Sequence, residues 1–348
     1  VGFEALMSQN FTTNTDTFNV AVGYTAGREI TTGIRNTLIG AESGDAITAG
    51  GNNVAVGSGS LTTNTLSSHN VAIGNGAMFS HNITTATDAY NIAIGSSAGA
   101  AVTTGIFNTI TGGLAADALT TGERNTVYGK SALTSDTLGS RAVAVGLSAL
   151  ASQNFTTATD NYNVAVGYSA GGLITTGTAN TIIGGLAGDA ITTGASNVAV
   201  GINSLGSNQA GANSIAIGNG ALFTQVGSGN MFNIGIGADA GYAVTTGTAN
   251  TIIGGLAGDS LTDGTHNTFV GKEAGGAATT GDYNTFIGAG TIAGTGNFGA
   301  GSLMTTGSKN TFLGGYNGNQ NSLDLRTASN NIVLSDGDGT PRGVFNSG

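Results

Sequence analysis

Three histidines and a recurring aspartate are the side chains of this 348-residue sequence best suited to chemistry. His69, His81 and His266 stand apart in sequence, and His69 and His266 each lie directly before an N-x-x-x-G motif. Acid–base or metal chemistry needs titratable groups that converge, so a turn position is the reading for His69 and His266. Asp45, Asp117, Asp189 and Asp259 recur with steps of 72, 72 and 70 residues. On a chain of coils rising about 4.8 Å each, that spacing keeps like charges roughly 19 Å apart, beyond the Debye length of about 8 Å. It points to solvation rather than metal binding. There is no G-x-x-x-x-G-K-[ST] phosphate loop and no G-G-x-G-x-D series. The expectation is a protein that is not an enzyme, with no catalytic residue, cofactor or metal.

Paired threonines are the other chemical pattern: Thr103-Thr104, Thr120-Thr121, Thr175-Thr176, Thr192-Thr193 and Thr245-Thr246. Ranks of Thr on a flat β surface can bind ice. Adjacent residues of an extended chain face opposite ways, however, so one of each pair at most points outward. The ranks also break at Asp136 and Asn203. Ice binding is therefore a lesser alternative.

The composition narrows the element type. Gly is 62 of 348 residues, Pro is 1, Cys and Trp are 0, and 8% of residues are charged. Gly without Pro excludes collagen, and abundant Val and Ile argue against disorder. A formal charge of −10 without a basic run argues against nucleic acid and anionic membrane surfaces. No stretch approaches the roughly 18 apolar residues of a membrane span.

The five-residue unit N-x-x-x-G occurs eighteen times, with Ala142 and Ser214 replacing Asn in two units and Ser335 replacing Gly in the last. Most steps are 17 residues, with longer ones at Asn70, Ala142, Ser214, Asn284 and Asn310. Asn19, Asn91 and Asn163 lie 72 apart, so four coils form a larger module. The first of the three residues between Asn and Gly is β-branched and the third is nearly always Val or Ile, as in Val20 and Val22. The middle residue is Ala or Gly after Val or Ile and large after Thr; Ile332-Val333 departs from this. Neither face of the strand looks built for water. One coil has one inside, so the other face calls for several chains wound together. A second short strand is expected in "AVTT" or "AITT", and the Asn residues are expected to form a ladder of side-chain amides. The fold class is thus all-β, a parallel β-solenoid or β-roll of stacked coils of about 17 residues, wound as a homotrimer. Eighteen coils would make a rod of roughly 85 Å.

"NVAVG", "NVAIG" and "SIAIG", followed by "GAM" or "SAG", resemble the head repeats of trimeric autotransporter adhesins, which form left-handed β-rolls wound as trimers. "NTFIGAG", "NTFLGGYNG" and the "AG…TTG…N" spacing resemble more strongly the repeat regions of tail fibres of marine and cyanobacterial phages. "NNIVLSDGDGTPRG", Asn330–Gly343, resembles the segment that precedes a C-terminal intramolecular chaperone in such fibres. The resemblance implies a structural segment of a phage tail fibre, extracellular on the virion, that acts as a stiff spacer. The alternative it leaves open is a bacterial trimeric adhesin on the cell surface. Residues 1–314 are expected to be the repetitive solenoid, and 315–348 an irregular exit segment leading to a further domain.

The longer coils are the candidate contact sites. They carry Phe79, Tyr90, Phe155, Tyr162, Phe223 and Phe232 at recurring points. Aromatics on protruding loops suit a host glycan or protein; aromatics plugging a wider coil from inside are the competing reading.

Overall fold

The computed structural model describes residues 1–289 and 299–346. The described residues contain no helix and fall into two compact units, Val1–Thr176 and Gly177–Gly348. In both units the N-x-x-x-G motif forms a three-residue strand, and consecutive strands pair in parallel, in register, motif on motif. In the first unit Val20 faces Thr37, Thr37 faces Val54, and the ladder runs on in chain order to Val143 against Val164. In the second it runs from Thr181 against Val198 to Thr311 against Ile332. Each unit holds nine coils. The chain is a parallel β-solenoid, as the period predicts.

The middle strand residue is buried in all eighteen coils, and its two neighbours point outward. Interior volume is then balanced between two positions six residues apart. Leu38 is matched by Gly44, whereas Ala55 is matched by Leu61, and each large member is fully buried. Four coils are small at both positions, for example Ala21 with Gly27. There the neighbouring coils fill the space: a Cβ on Gly27 would sit 2.7 Å from Leu38 Cδ1 and 3.2 Å from Leu6 Cδ2. In the second unit the interior is aliphatic as far as Ile252 and then turns aromatic. Phe269, Phe286 and Phe312 stack at centroid distances of 5.1 and 4.9 Å, and Tyr316 closes the stack edge-on.

The closing glycine has a structural reason. Gly95 has φ +136°, and a Cβ there would lie 2.5 Å from the carbonyl oxygen of Gly112 in the next coil. Coils can approach to the strand spacing at this corner only without a side chain.

The expected second strand is not one. Successive tight turns lead into "AVTT" (101–104), with Ala98 N donating to Gly95 O and Val102 N to Gly99 O around left-handed Ser97 and Gly99, and the segment itself forms no strand. Bonds to the next coil persist all the same, as in Thr103 N to Thr120 O at 2.9 Å. Extra parallel strands arise at three long coils among the described residues, where Ser67–Ser68 pairs with Thr87–Asp88, Gly139–Ser140 with Thr159–Asp160, and Ala210–Ala212 with Ser228–Asn230. Beyond residue 314, Asn319–Gln320 pairs antiparallel with Leu323–Asp324, and Asn331–Ser335 with Pro341–Asn346.

Candidate functional site

The Asn ladder is the most regular polar feature. Asn36 Nδ2 donates to Gly50 O at 3.0 Å, while Asn36 Oδ1 accepts from Asn53 N at 3.0 Å. The same pair of bonds recurs along both units, as at Asn108 and Asn250. Each buried amide satisfies a carbonyl of the turn ahead and the first N–H of the next strand. This matches the ladder expected from the sequence.

Long coils interrupt the ladder, and a second polar group fills the gap. Where Ala142 replaces Asn, Asn163 N donates to Asn161 Oδ1 at 2.9 Å and Asn163 Nδ2 to Gln153 Oε1 at 2.8 Å. Gln153 Nε2 in turn donates to the buried carboxylate of Asp136 at 2.7 Å. Asp136 also accepts from the backbone N–H groups of Gly139 and Phe155. Burial nevertheless pushes its pKa above the usual carboxylate value. In the equivalent coils Asn208 occupies its place, with Gln225 as partner to Ser214 and Asn233, or Asn64 does, with Ser67 and His81. These groups were missed from the sequence, although Gln9, His81, Gln153 and Gln225 recur with a step of 72.

His81 is therefore an interior residue. It is fully buried, with Nε2 3.0 Å from Ser67 Oγ and no hydrogen-bond partner at Nδ1. Burial pushes its pKa down to about 4. His69 and His266 occupy the corner before Asn: His69 Nδ1 is 3.0 Å from Asp88 Oδ1 and its ring stacks on Tyr90, while His266 stacks on Tyr283. Asp45, Asp117, Asp189 and Asp259 are half-buried rather than freely solvated. Burial raises the pKa of Asp45, Asp189 and Asp259. Among the described residues no group of three or more His, Cys, Asp or Glu could hold a metal.

The six candidate contact aromatics do not converge. Tyr90, Tyr162 and Phe232 occupy the exposed corner before Asn, each with positive φ. Tyr90 stacks between His69 and Phe107, and Arg141 lies 5.8 Å over the Tyr162 ring. Phe79 is exposed at the far turn of its coil, and Phe223 lies at the corresponding turn of the second unit, half-buried and stacked on Tyr242. Phe155 is 5% exposed, so it is corrected from surface contact to interior plug: its coil is wider, and the ring fills it. The threonine pairs divide as alternation requires. Thr103 and Thr120 donate through Oγ1 to the backbone of the next coil, whereas Thr104 and Thr121 are exposed.

The outward strand residues form the broadest exposed feature. Val20, Val22, Ile39, Ile73, Ile92 and Ile94 are each more than a third exposed, one above another on the same face of the first unit. No family model matches the chain, and neither a curated protein nor a solved structure does.

Proposed function

We propose that this chain is a structural segment of a homotrimeric fibre, of the kind found in phage tail fibres, that carries attachment elements outside the cell at a distance from their base. The observation that carries the reading is the outward apolar ladder. A column of Val and Ile left in water forfeits roughly 25 cal/mol for each Å² of apolar surface it could bury, and contiguous exposed apolar patches of this kind mark interaction surfaces. The described side chains also lack any convergent group that would favour a reaction. A stack built from one recurring module is suited to setting length, because each added module extends the rise through the same kind of nearest-neighbour contacts.

Substituting Ile92 and Ile94 together by Lys tests the reading. Both side chains point away from the interior, so the coils should keep their β-type circular dichroism while the assembly dissociates to monomers. A wild-type chain that is already monomeric, or a variant that assembles unchanged, would contradict it.

A further inference from the structure

We infer that the two edges of the outward face are the seams along which copies of this chain meet, parallel and in register. The inference rests on the trimeric reading above and adds where the contacts lie. The outward side of a coil is four columns wide: the residue before the buried Asn, the first and third strand residues, and the residues just past the closing glycine. In the first coil these are Phe18, Val20, Val22 and Tyr24, all exposed. Alternate residues of a strand stand about 6.7 Å apart, so four columns span about 20 Å. Sheets packed face to face lie about 10 Å apart, which sets three such faces about 5 Å from a common axis; a triangle of that inner radius has sides of about 17 Å. The face thus reaches its neighbours at both margins. The leading edge of one copy, the residue before Asn, then meets the trailing edge of the next at the same coil.

Residue types on the two edges match in four coils of the first unit, the first, second, sixth and ninth, whereas the fifth sets Tyr90 against Ser96 and the eighth Arg141 against Leu147. The first coil places Phe18 opposite Tyr24 of the next copy, the sixth Phe107 opposite Leu114, and the ninth Tyr162 opposite Tyr168; all six side chains are exposed in the single chain. The second coil places Arg35 opposite Glu42. Both are exposed, and among the described residues neither has an ion-pair partner within the chain. At the seventh coil both edges are cationic, Arg124 and Lys130, and Glu123, bound to Arg124, supplies the counter-charge.

The leading edge is a corner built by side chains rather than glycine. Its residue has positive φ in all nine coils of the first unit, yet none of the nine is glycine. Glycine would adopt that conformation with less strain and is abundant in this chain. Tyr90 and Tyr162 then belong to a seam between subunits.

The chain contains no cysteine, so pairs can be introduced cleanly. The variant Phe107→Cys with Leu114→Cys, treated with oxidant and in parallel with a short bis-maleimide, should give a covalent trimer on a denaturing gel. Phe107→Cys with Lys130→Cys, offset by one coil, should give far less. A covalent dimer as end product, no product, or equal yield from the offset pair would overturn the inference. The mass of the untreated variant separates the two failures. A trimer that does not cross-link overturns the seam alone, and a monomer overturns the trimeric reading with it. As a second measurement, Arg35→Glu should raise trimer dissociation about tenfold, since three pairs are lost per trimer, and adding Glu42→Arg should restore it; no recovery would contradict the pairing.

Discussion

His81 shows how one substitution within a repeat changes the response of a coil to acid. Its position belongs to Gln9, Gln153 and Gln225 in the other modules, where an amide completes the polar chain without a titrating group. The buried imidazole is held neutral, with its pKa at about 4 against 6.5 in an unfolded chain. Between those values the unfolded state binds a proton that the folded state refuses. The stability contributed by neutral His81 is thus complete above pH 6.5 and is lost as pH falls towards 4. A difference of that size corresponds to about 3 kcal/mol. Buried Asp136 acts in the opposite sense: its raised pKa means the folded state holds a proton longer, which favours folding as pH falls towards the ordinary carboxylate value. His81→Gln isolates the histidine. Unfolding followed at pH 7 and pH 4.5 should show the wild type losing about 2–3 kcal/mol relative to the variant; parallel pH profiles would show that the imidazole is not desolvated.

At the level of the coil, the Asn ladder ties each strand to the next turn. Asn108 accepts from Asn125 N and donates to Gly122 O, and all these groups are buried or nearly so. Asn108→Ala would leave a donor and an acceptor without partners, at about 1–3 kcal/mol each. Because a solenoid opens locally rather than as a whole, hydrogen exchange is the suitable measurement: amides of the strands Thr109–Thr111 and Thr126–Tyr128 should exchange faster while those of Val54–Val56 stay protected. Unchanged exchange at Asn125 would contradict the role assigned to the ladder. Ala142 is the natural counterpart, and there Asn161 and Gln153 supply the missing bonds.

The coil, its strand and the ladder were legible in the sequence because Asn, the β-branched residues and Gly recur at a fixed step. The alternation of Val20, Ala21 and Val22 even separated the two faces. The turn segment was misread because "AVTT" carries β-branched residues, whereas Val102 closes a tight turn on Gly99 and the segment is drawn into the corner. The inward placement of Phe155 and His81 was not legible for a different reason. Local sequence does not tell which way the wider coil points its extra residues, and only the 72-residue recurrence of Gln9, His81, Gln153 and Gln225 marks an interior position.

For the whole molecule, the question is what covers the outward columns of Val and Ile. A single chain leaves Val20, Val22, Ile92 and Ile94 to solvent, and a second and third copy would bury them with the edges that flank them. The most direct test is sedimentation equilibrium of the purified chain. Three times the chain mass of 33.8 kDa, independent of concentration over the micromolar range, is the expected result. A single species at the chain mass would mean that the apolar face stands free in solution, and it would contradict the proposal that this chain is one strand of a trimeric fibre.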